Sequence, residues 1–380
     1  MPPTARRLNR ATLARQMLLE REPTTVTAAV RRIVAVQAQE AMSPYVALAN
    51  RIEGFRPTDL DAAFAGGAVV KASLMRITLH AVAADEYPVF HEAMLGSLRA
   101  ARLNDRRFAE TGMTVAETDA LVPEVVAFAA SPRTKADIAG FLAERLGSPP
   151  PERLWWALRT YAPLVHAPGG APWAFGQEAR YLAAPADPDR MEPEAALRSL
   201  IRRYLEGFGP ASVGDFAQFS MQKRSVTRRA LEALRDDLVV FEGPDGEELY
   251  DIPGGVIPEE DVPAPPRLMA MWDSTLLAYA DRSRLIPPDH RKVVIRQNGD
   301  VLPTVLVDGF VCGVWRPSEA GIAVRAFRQI PSAAWDGLDE EAGRLVALLD
   351  GRPPTYGRYG HWWRRLPAGE TRLLGGRRHD

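Results

Sequence analysis

Cysteine is nearly absent from this chain: Cys312 is the only one in 380 residues. No intrachain disulfide can form and no cysteine-rich zinc site can be assembled, which fits a reducing cytoplasm. The six histidines include no HExxH pair, so a zinc hydrolase is poorly supported. There is no P-loop and no dinucleotide fingerprint, and no metal or cofactor is expected. No apolar run approaches the roughly 20 residues of a membrane span. The basic opening stretch MPPTARRLNRATLARQ lacks the apolar segment of a signal peptide, and no membrane partner is expected. An excess of one charge is missing too. The formal net charge is −1, which does not advertise nucleic-acid binding. Of the 47 basic residues only Lys71, Lys135, Lys223 and Lys292 are lysine. Part of that arginine excess reflects a GC-rich coding bias, so its distribution says more than its sum.

What remains is the composition of an ordinary globular protein, 46% hydrophobic and 25% charged, in a chain long enough for two or three domains. Acidic clusters stand at Glu259-Glu260-Asp261 and Asp339-Glu340-Glu341, basic ones at Lys223-Arg224, Arg228-Arg229 and Arg291-Lys292. A polyanion would have to be met by one basic face of a nearly neutral molecule. No heptad segment or dimerisation helix is evident, so a monomer is expected.

Local patterns repeat along the chain. Leu8, Leu13, Met17 and Leu18 are spaced like one face of a helix. Thr24-Thr25 can cap a second helix running to Val36. Pro44 to Ile52 reads as a short helix, and Pro57-Thr58-Asp59 opens another through Phe64, stopped by Gly66-Gly67. Ala68 to Ala83 then has the β-branched, alternating character of a hairpin. Helices followed by a hairpin are the winged-helix plan, a relative of the helix-turn-helix. Lys135 to Leu146 and Pro151 to Tyr161 read as helices before LVHAPGGAPWAF, a strand, a turn at Gly169-Gly170 and a strand. Ser212 to Ser220 and Ser225 to Asp237 are helices joined by MQKR, and LVVFEGPDGEELYDI is a hairpin. Ala136-Asp137-Ile138 and Gly214-Asp215-Phe216 occupy equivalent places, as a repeat requires.

Proline-rich connectors, PADPDRMEP and PGGVIPEEDVPAPP, separate the blocks. Beyond them Val293-Val294-Ile295 and Val301 to Val307 flank Asn298-Gly299, a strong hairpin signal. Asp308-Gly309 marks a second turn before Phe310 to Trp315, Ile322 to Phe327 is a further strand, and Glu340 to Leu349 a closing helix. The tail from Tyr356 to Arg365 is rich in arginine and aromatics and has no readable pattern. The expected fold class is α+β: three tandem winged-helix units at 1–115, 116–190 and 191–258, then a small β-barrel-like domain at 262–380 ending in a helix and tail.

The stretch with most chemical content is IVAVQAQEAMSPYVALAN, Ile33 to Asn50. An apolar run leads into Gln37 and Gln39, separated by one small residue, and Ser43-Pro44 follows. On a helix, side chains two residues apart diverge by about 200°; on an extended backbone they lie side by side. Pro44 turns Ser43 away from helical dihedrals. This predicts a helix ending between 37 and 43, with both amides facing a common space. Two idle glutamines at a solvated helix end would fit the same pattern.

Glutamine-x-glutamine followed by an SPY-like segment resembles the DNA glycosylases typified by AlkZ. LNRATLARQ (Leu8 to Gln16), LMRITLHAVAADEY (Leu74 to Tyr87), LLAYADRSRLIPPDHRK (Leu276 to Lys292) and NGDVLPTVLVDGFVCGVWR (Asn298 to Arg316) resemble the same family, in its order, up to about residue 316. Some members carry aspartate as the second motif residue; Gln39 places this chain with the paired-glutamine branch. The resemblance implies a winged-helix glycosylase with Gln37 and Gln39 catalytic, acting on double-stranded DNA that carries alkylation damage. It also implies bulky adducts or interstrand crosslinks as substrates, and self-resistance to a DNA-alkylating natural product as the setting.

Such chemistry suits the motif. A guanine alkylated at N7 is already cationic and leaves without a general acid, so the task is to hold a water against the sugar carbon and stabilise charge there. An amide both accepts and donates, and two can clamp one water. No lysine sits in the motif, so a Schiff-base lyase step is not suggested and a monofunctional hydrolase is expected.

Other candidates surround the pair. Arg76, Thr78 and His80 are expected on one strand face by period two, turned toward DNA phosphates or the lesion; a solvent-facing strand side is the competing reading. Trp272 and Asp273 could wall off the lesion and stabilise sugar charge, or be a core tryptophan and a turn carboxylate. Asp281, Arg282 and Arg284 read as structural ion pairs or phosphate contacts. Lys223, Arg224, Arg228 and Arg229 resemble a recognition helix, although Glu242, Asp245, Glu247, Glu248 and Asp251 on the following hairpin would repel phosphates. The alternative function is a non-catalytic winged-helix protein: a transcription regulator, or a lesion-binding protein that shields adducts without cutting.

Overall fold

The computed structural model describes residues 3–170, 173–176, 178–185, 190–297, 299–350, 356 and 360–376. Helix α1 (Ala5–Arg15) is capped by Thr4 and α2 (Val26–Arg32) by Thr25, each hydroxyl accepting a backbone N–H of the first turn. α2 ends earlier than the sequence predicts. Ile33 is its C-cap, Val34 takes a left-handed φ of 71°, and the chain runs directly into strand β1 (Val36–Gln37). A short apolar run has no period to tell helix from buried strand, and here the neighbouring hairpin decides it. That hairpin follows α3 (Ser43–Ala49) and α4 (Pro57–Ala65). It consists of β2 (Val69–Ser73) and β3 (Leu79–Ala83), paired Val69↔Ala83 through Ser73↔Leu79. β1 adds to its edge, setting Gln37 opposite His80.

Three helices that no sequence pattern announced come next: α5 (Tyr87–Leu103), α6 (Arg106–Ala109) and α7 (Val115–Phe128). Then come β4 (Arg133–Thr134), α8 (Lys135–Leu146), α9 (Glu152–Tyr161), β5 (Leu164–His166) and β6 (Arg180–Ala183). The partner of β5 is β6, in the register Leu164↔Ala183, and not the segment just after Gly169-Gly170. Ala171 and Pro172 lie outside the described residues. Trp173 and Ala174 give their N–H groups to the Asp61 carboxylate at 2.9 and 2.7 Å. A buried carboxylate must find donors, and it takes them from the stretch expected to form a ladder. Lys71↔His166 joins the hairpins into one sheet, ordered β1-β3-β2-β5-β6-β4, which crosses the boundary expected near 115.

The third block holds α10 (Pro193–Phe208), α11 (Val213–Ser220), α12 (Arg224–Glu232), β7 (Val239–Glu242) and β8 (Glu248–Asp251). A 3-10 turn at Arg235–Asp237 completes the span expected as helix. α8 and α11 open with the same capping box, Thr134 with Asp137 and Ser212 with Asp215. That is the physical content of the equivalence between the two segments.

The C-terminal block comprises β9 (Arg267–Leu268), α13 (Pro288–Val294), β10 (Thr304–Val307), β11 (Phe310–Ser318), β12 (Gly321–Ala326), α14 (Ser332–Leu349), α15 (Gly360–Trp363) and β13 (Thr371–Leu374). Val293 and Val294, expected in a strand, end α13, which Pro288 opens at a position that suits proline. Ile295 and Val301 form an antiparallel bridge across that loop, backed by the Arg296 N–H on the Asp300 carbonyl at 2.8 Å, and Asn298 lies outside the described residues. The strands form one antiparallel sheet, β13-β12-β11-β10-β9. Its edge strands do not pair with each other, so among the described residues no barrel closes. α14 packs across β9, β12 and β13 instead, burying Trp335, Leu338, Ala342 and Leu345. A helix covers the apolar face that a barrel would turn inward.

α1 ties these blocks together. Asn9 Nδ2 donates to the Arg284 and Gly309 carbonyls at 2.7 and 2.9 Å, Arg10 pairs with Asp308, and Gln16 donates to the Gly207 carbonyl at 2.9 Å. Gly309 has φ 81°, and a Cβ there would stand 2.4 Å from Asn9 Oδ1, so the turn must be glycine. The N-terminal and C-terminal segments quoted above are thus one contact in the folded chain.

Candidate active site

β1 ends at Gln37, and Gln39 follows two residues on, in a bend. Gln37 is buried, and its Oε1 accepts the Gln39 N–H at 2.8 Å. An N–H needs an oxygen, so this bond fixes the orientation of the amide and leaves Nε2 as the free donor. Gln39 is exposed, with Oε1 3.4 Å from the Leu79 N–H. One amide is locked and the other faces solvent. Behind Gln37 lies a cavity of about 10 Å³, lined in part by Gln16, Ser43, Arg51, Asp273 and Ser274; that is room for one water among polar groups.

His80, across the ladder from Gln37, is fully buried. Arg76, Thr78 and His80 do not share a strand face. Arg76 sits in a 3-10 turn at Met75–Ile77 with φ 53°, and Thr78 is the cap that ends it. The tight turn brings Arg76 and His80 together, with Arg76 Nη2 3.1 Å from His80 Nε2. A guanidinium can only donate, so Nε2 accepts and Nδ1 carries the proton it gives to the Thr78 carbonyl at 3.0 Å. Burial first, and the Arg76 charge second, push His80 down to about 3, so it is neutral at physiological pH. Arg76 stacks 5.5 Å from the Phe219 ring of α11, and among the described residues its buried Nη1 has no partner. Burial, then Arg282, lower it to about 9.

Asp273 does not face open space. It forms a two-pronged ion pair with Arg51, both contacts 2.9 Å, and both side chains are 1% exposed. Burial pushes its carboxyl up, but the Arg51 charge and the bonds from Arg51 and Thr275 outweigh that and hold it low. Arg51 also donates to the Gln16 and Ala47 carbonyls, which stiffens the wall of the cavity behind Gln37. Trp272 is buried, with a left-handed φ of 55° and its Nε1–H on the Gly299 carbonyl at 3.0 Å.

A family model described as DNA glycosylase AlkZ-like matches residues 30–348. The chain belongs to the AlkZ-like family. The matched span runs from α2 through the glutamines almost to the end of α14. An interstrand DNA cross-link repair glycosylase of Streptomyces sahachiroi is 27% identical over 168 residues, 41% of this chain and 43% of that protein. The aligned stretch is therefore less than half the length of that relative. The solved structure of Streptomyces sahachiroi DNA glycosylase AlkZ is similar with a TM-score of 0.79 at 21% identity, covering 93% of this chain and 99% of that chain. At that identity the likeness is one of fold, an α+β AlkZ-like fold.

The remaining candidates of this AlkZ-like chain lie apart from the glutamines or serve the frame. Lys223, Arg224, Arg228 and Arg229 are exposed on α12 but face two ways. Arg224 and Arg228 line a groove of about 710 Å³ shared with Asp245, Glu247 and Glu248 of the β7–β8 hairpin. Arg229 turns toward α10, 3.6 Å from Glu194. Asp281 caps a 3-10 turn through the Ser283 N–H. Arg282 and Arg284 bond to the Tyr279 and Pro210 carbonyls in place of the expected ion pairs.

Sequence reasoning did not single out Arg51, Gln16 or Lys71. Arg51 ends an apolar helix, a signal that it must be paired, but its partner lies 222 residues away. Lys71 is a lone lysine in an apolar strand. It is buried 4.4 Å from the Phe175 ring, and burial lowers it to about 8 against the pull of Glu40. Lys71 aligns with Ala81 and Val36, whereas Gln37 aligns with His80 and Ala72, so the lysine points to the opposite face of the sheet. Among the described residues no three His, Cys, Asp or Glu side chains gather as a metal site, and no helix is long and apolar enough to cross a membrane.

Proposed function

We propose that this AlkZ-like chain is a DNA glycosylase that hydrolyses the N-glycosidic bond of N7-alkylated guanine, including bulky adducts and interstrand crosslinks. The observation that carries this reading is the asymmetric glutamine pair, with Gln37 locked and buried and Gln39 at the surface two residues on. In this reading Gln39 meets the nucleotide and holds the water, while Gln37 supplies a fixed Nε2 donor to the same spot. Water oxygen bonds to C1′, the C1′–N9 bond breaks, and its electron pair neutralises the cationic base. The water proton passes to solvent. No group nearby has to protonate the leaving base, and neutral His80 cannot do so. Preorganised dipoles are the means available to such a site.

The three helix-and-hairpin blocks are read as winged-helix units around this centre, divided as the sequence suggests at about 115 and 190. Arg76 and Thr78, at the turn of the first hairpin, and the basic residues of α12 are the proposed DNA contacts. Asp273 is a positioning residue: through Arg51 it holds the wall behind Gln37. Lys71, on the far face of the sheet, is not placed for imine chemistry, which supports a monofunctional enzyme. A relative that carries cross-link repair in its name supports crosslinks as substrates, and self-resistance to an alkylating natural product is the proposed setting.

The test is base release from a duplex with a single N7-methylguanine, comparing wild type with Gln37→Ala and Gln39→Ala. Release by wild type and a loss of roughly tenfold or more in both variants, at unchanged DNA affinity, is expected (about 1.4 kcal/mol of barrier per tenfold). Release that survives both substitutions would move the chemistry away from the pair. No release from methylated, bulky-adduct or crosslinked duplexes would favour a non-catalytic winged-helix protein.

A further inference from the structure

Arginine and tryptophan gather at one place outside the glutamine site. α15 carries Trp362 and Trp363 side by side. Arg296 lies 3.9 Å from the centre of the Trp362 ring, with Arg365 at 5.9 Å, and Arg316 lies 4.6 Å from that of Trp363. Arg364 and Arg365 follow α15 and are exposed, as is Arg316 on β11. The ion pairs of this domain join Arg267 and Arg344 to Glu341 and Arg372 to Glu370; among the described residues, none engages these four arginines. Arg296 and Arg365 share the Trp362 ring. Burial first and the Arg365 charge second lower Arg296, with Asp300 opposing. Like charges held together at a surface favour the visit of an anion. A guanidinium stacked on an indole keeps its edge donors available for oxyanions and loses little rotamer freedom on binding one.

The cluster is tied to the glutamine site. Met271 lines the cavity behind Gln37. Its neighbour Trp272 donates to the Gly299 carbonyl at 3.0 Å, and the Gly299 N–H donates to the Arg296 carbonyl at 3.0 Å. We propose that Arg296, Arg316 and Arg365, propped on Trp362 and Trp363, together with the exposed Arg364 beside them, form a second DNA contact that grips the phosphate backbone of the duplex flanking the lesion. This rests on the reading of the chain as a DNA glycosylase. Both tryptophans, Arg364 and Arg365 lie beyond the 30–348 span matched by the family model, and Arg296 and Arg316 lie inside it. Phosphates, and not base edges, are its target, so it extends the footprint without reading sequence.

The test is binding of the full chain to an unmodified duplex, followed by fluorescence anisotropy between about 50 and 200 mM salt. The variant is Arg316→Gln/Arg364→Gln/Arg365→Gln, with Arg364→Gln/Arg365→Gln as a milder form should the triple melt early. Each lost phosphate contact is expected to flatten the salt slope by about 0.9, so roughly 2 to 3 for the triple variant, with affinity down at least about tenfold. Single-turnover base release at saturating enzyme is expected to match wild type. A variant with wild-type slope and affinity would overturn this contact, and continued base release would leave the glycosylase reading standing. A wild type that binds duplex but releases no base would overturn that reading, while the slopes would still decide on the arginines. Loss of binding to phosphatidylglycerol vesicles with DNA binding intact would overturn the proposal in favour of a membrane surface.

Discussion

The hairpin β2–β3 and the hairpin β7–β8 follow the same local plan, helices and then two antiparallel strands, yet they end in opposite surroundings. β2–β3 lies inside a six-stranded sheet with strands on both sides, and its turn is pressed against α11 through Arg76 and Phe219. β7–β8 is a two-stranded ribbon whose first strand is largely exposed and whose carboxylates line the groove with Arg224 and Arg228. The difference teaches where fixed chemistry can sit. Polar groups on the first hairpin are held by burial and by single, directional hydrogen bonds. On the third, Asp251 is buried in a two-pronged ion pair with Arg15, whereas Glu242, Asp245 and Glu248 nearer the turn are exposed, so they are screened and like charges there cost little.

The largest expected effect tests how far the frame behind the first hairpin depends on one ion pair. Asp273→Ala leaves Arg51 buried and uncompensated, and unfolding in urea should show a loss of about 3–5 kcal/mol. Breaking the exposed Arg235–Glu248 pair of the third hairpin, 2.8 Å long, by Glu248→Gln should cost no more than about 1 kcal/mol. Equal losses would erase the distinction between the two regions.

Protonation gives the next effect. His80 sits at about 3 when folded, against 6.5 ordinarily. Between those values the unfolded chain binds a proton that the folded chain refuses, so this contribution is fully present above pH 6.5. It is lost as pH falls, at about 1.4 kcal/mol per pH unit. His166 and His91 shift the same way. His80→Gln should flatten the fall in stability below pH 6.5 by one proton; an unchanged slope would mean that His80 titrates normally.

Arg76→Met should act on both stability and function. Among the described residues the buried Nη1 has no partner, but Arg76→Met also takes the donor from the buried His80 Nε2, so a stability loss of about 1–3 kcal/mol is expected, while DNA affinity falls. A destabilised variant with intact affinity would make Arg76 a structural residue. The smallest effect belongs to the acidic wing. Asp245→Asn/Glu247→Gln should change stability by no more than about 0.5 kcal/mol and raise duplex affinity only slightly, by about twofold at low salt. A large rise would show that this wing approaches the backbone after all.

Much of the local structure was legible in the sequence. Thr25, Thr134 and Ser212 cap the helices their residue types announce, because a capping hydroxyl acts within four residues. The Asp308-Gly309 turn stands where its dipeptide places it, between β10 and β11. Gln37 and Gln39 stand on β1 and just past it rather than at a helix end, and the contact between them runs from the Gln37 amide to the Gln39 backbone N–H. The first strand expected before Asn298-Gly299 is instead the end of a helix, because Val293 and Val294 also close a helix once Pro288 starts one. Helices α5, α7 and α10 went unread although their apolar faces build much of the core around the sheet.

By itself the sequence determined what short-range physics controls: the caps, the turns, the lack of disulfide staples, and a pair of amides two residues apart before a proline. Only the tertiary structure decided which charges are free. Arg51 meets Asp273 across 222 residues, Lys71 turns to the face away from Gln37, and Arg76 folds back on His80 through a tight turn. Burial and partner choice set the charge and freedom of each side chain, and both are properties of segments far apart in the chain that come together only in the packed fold.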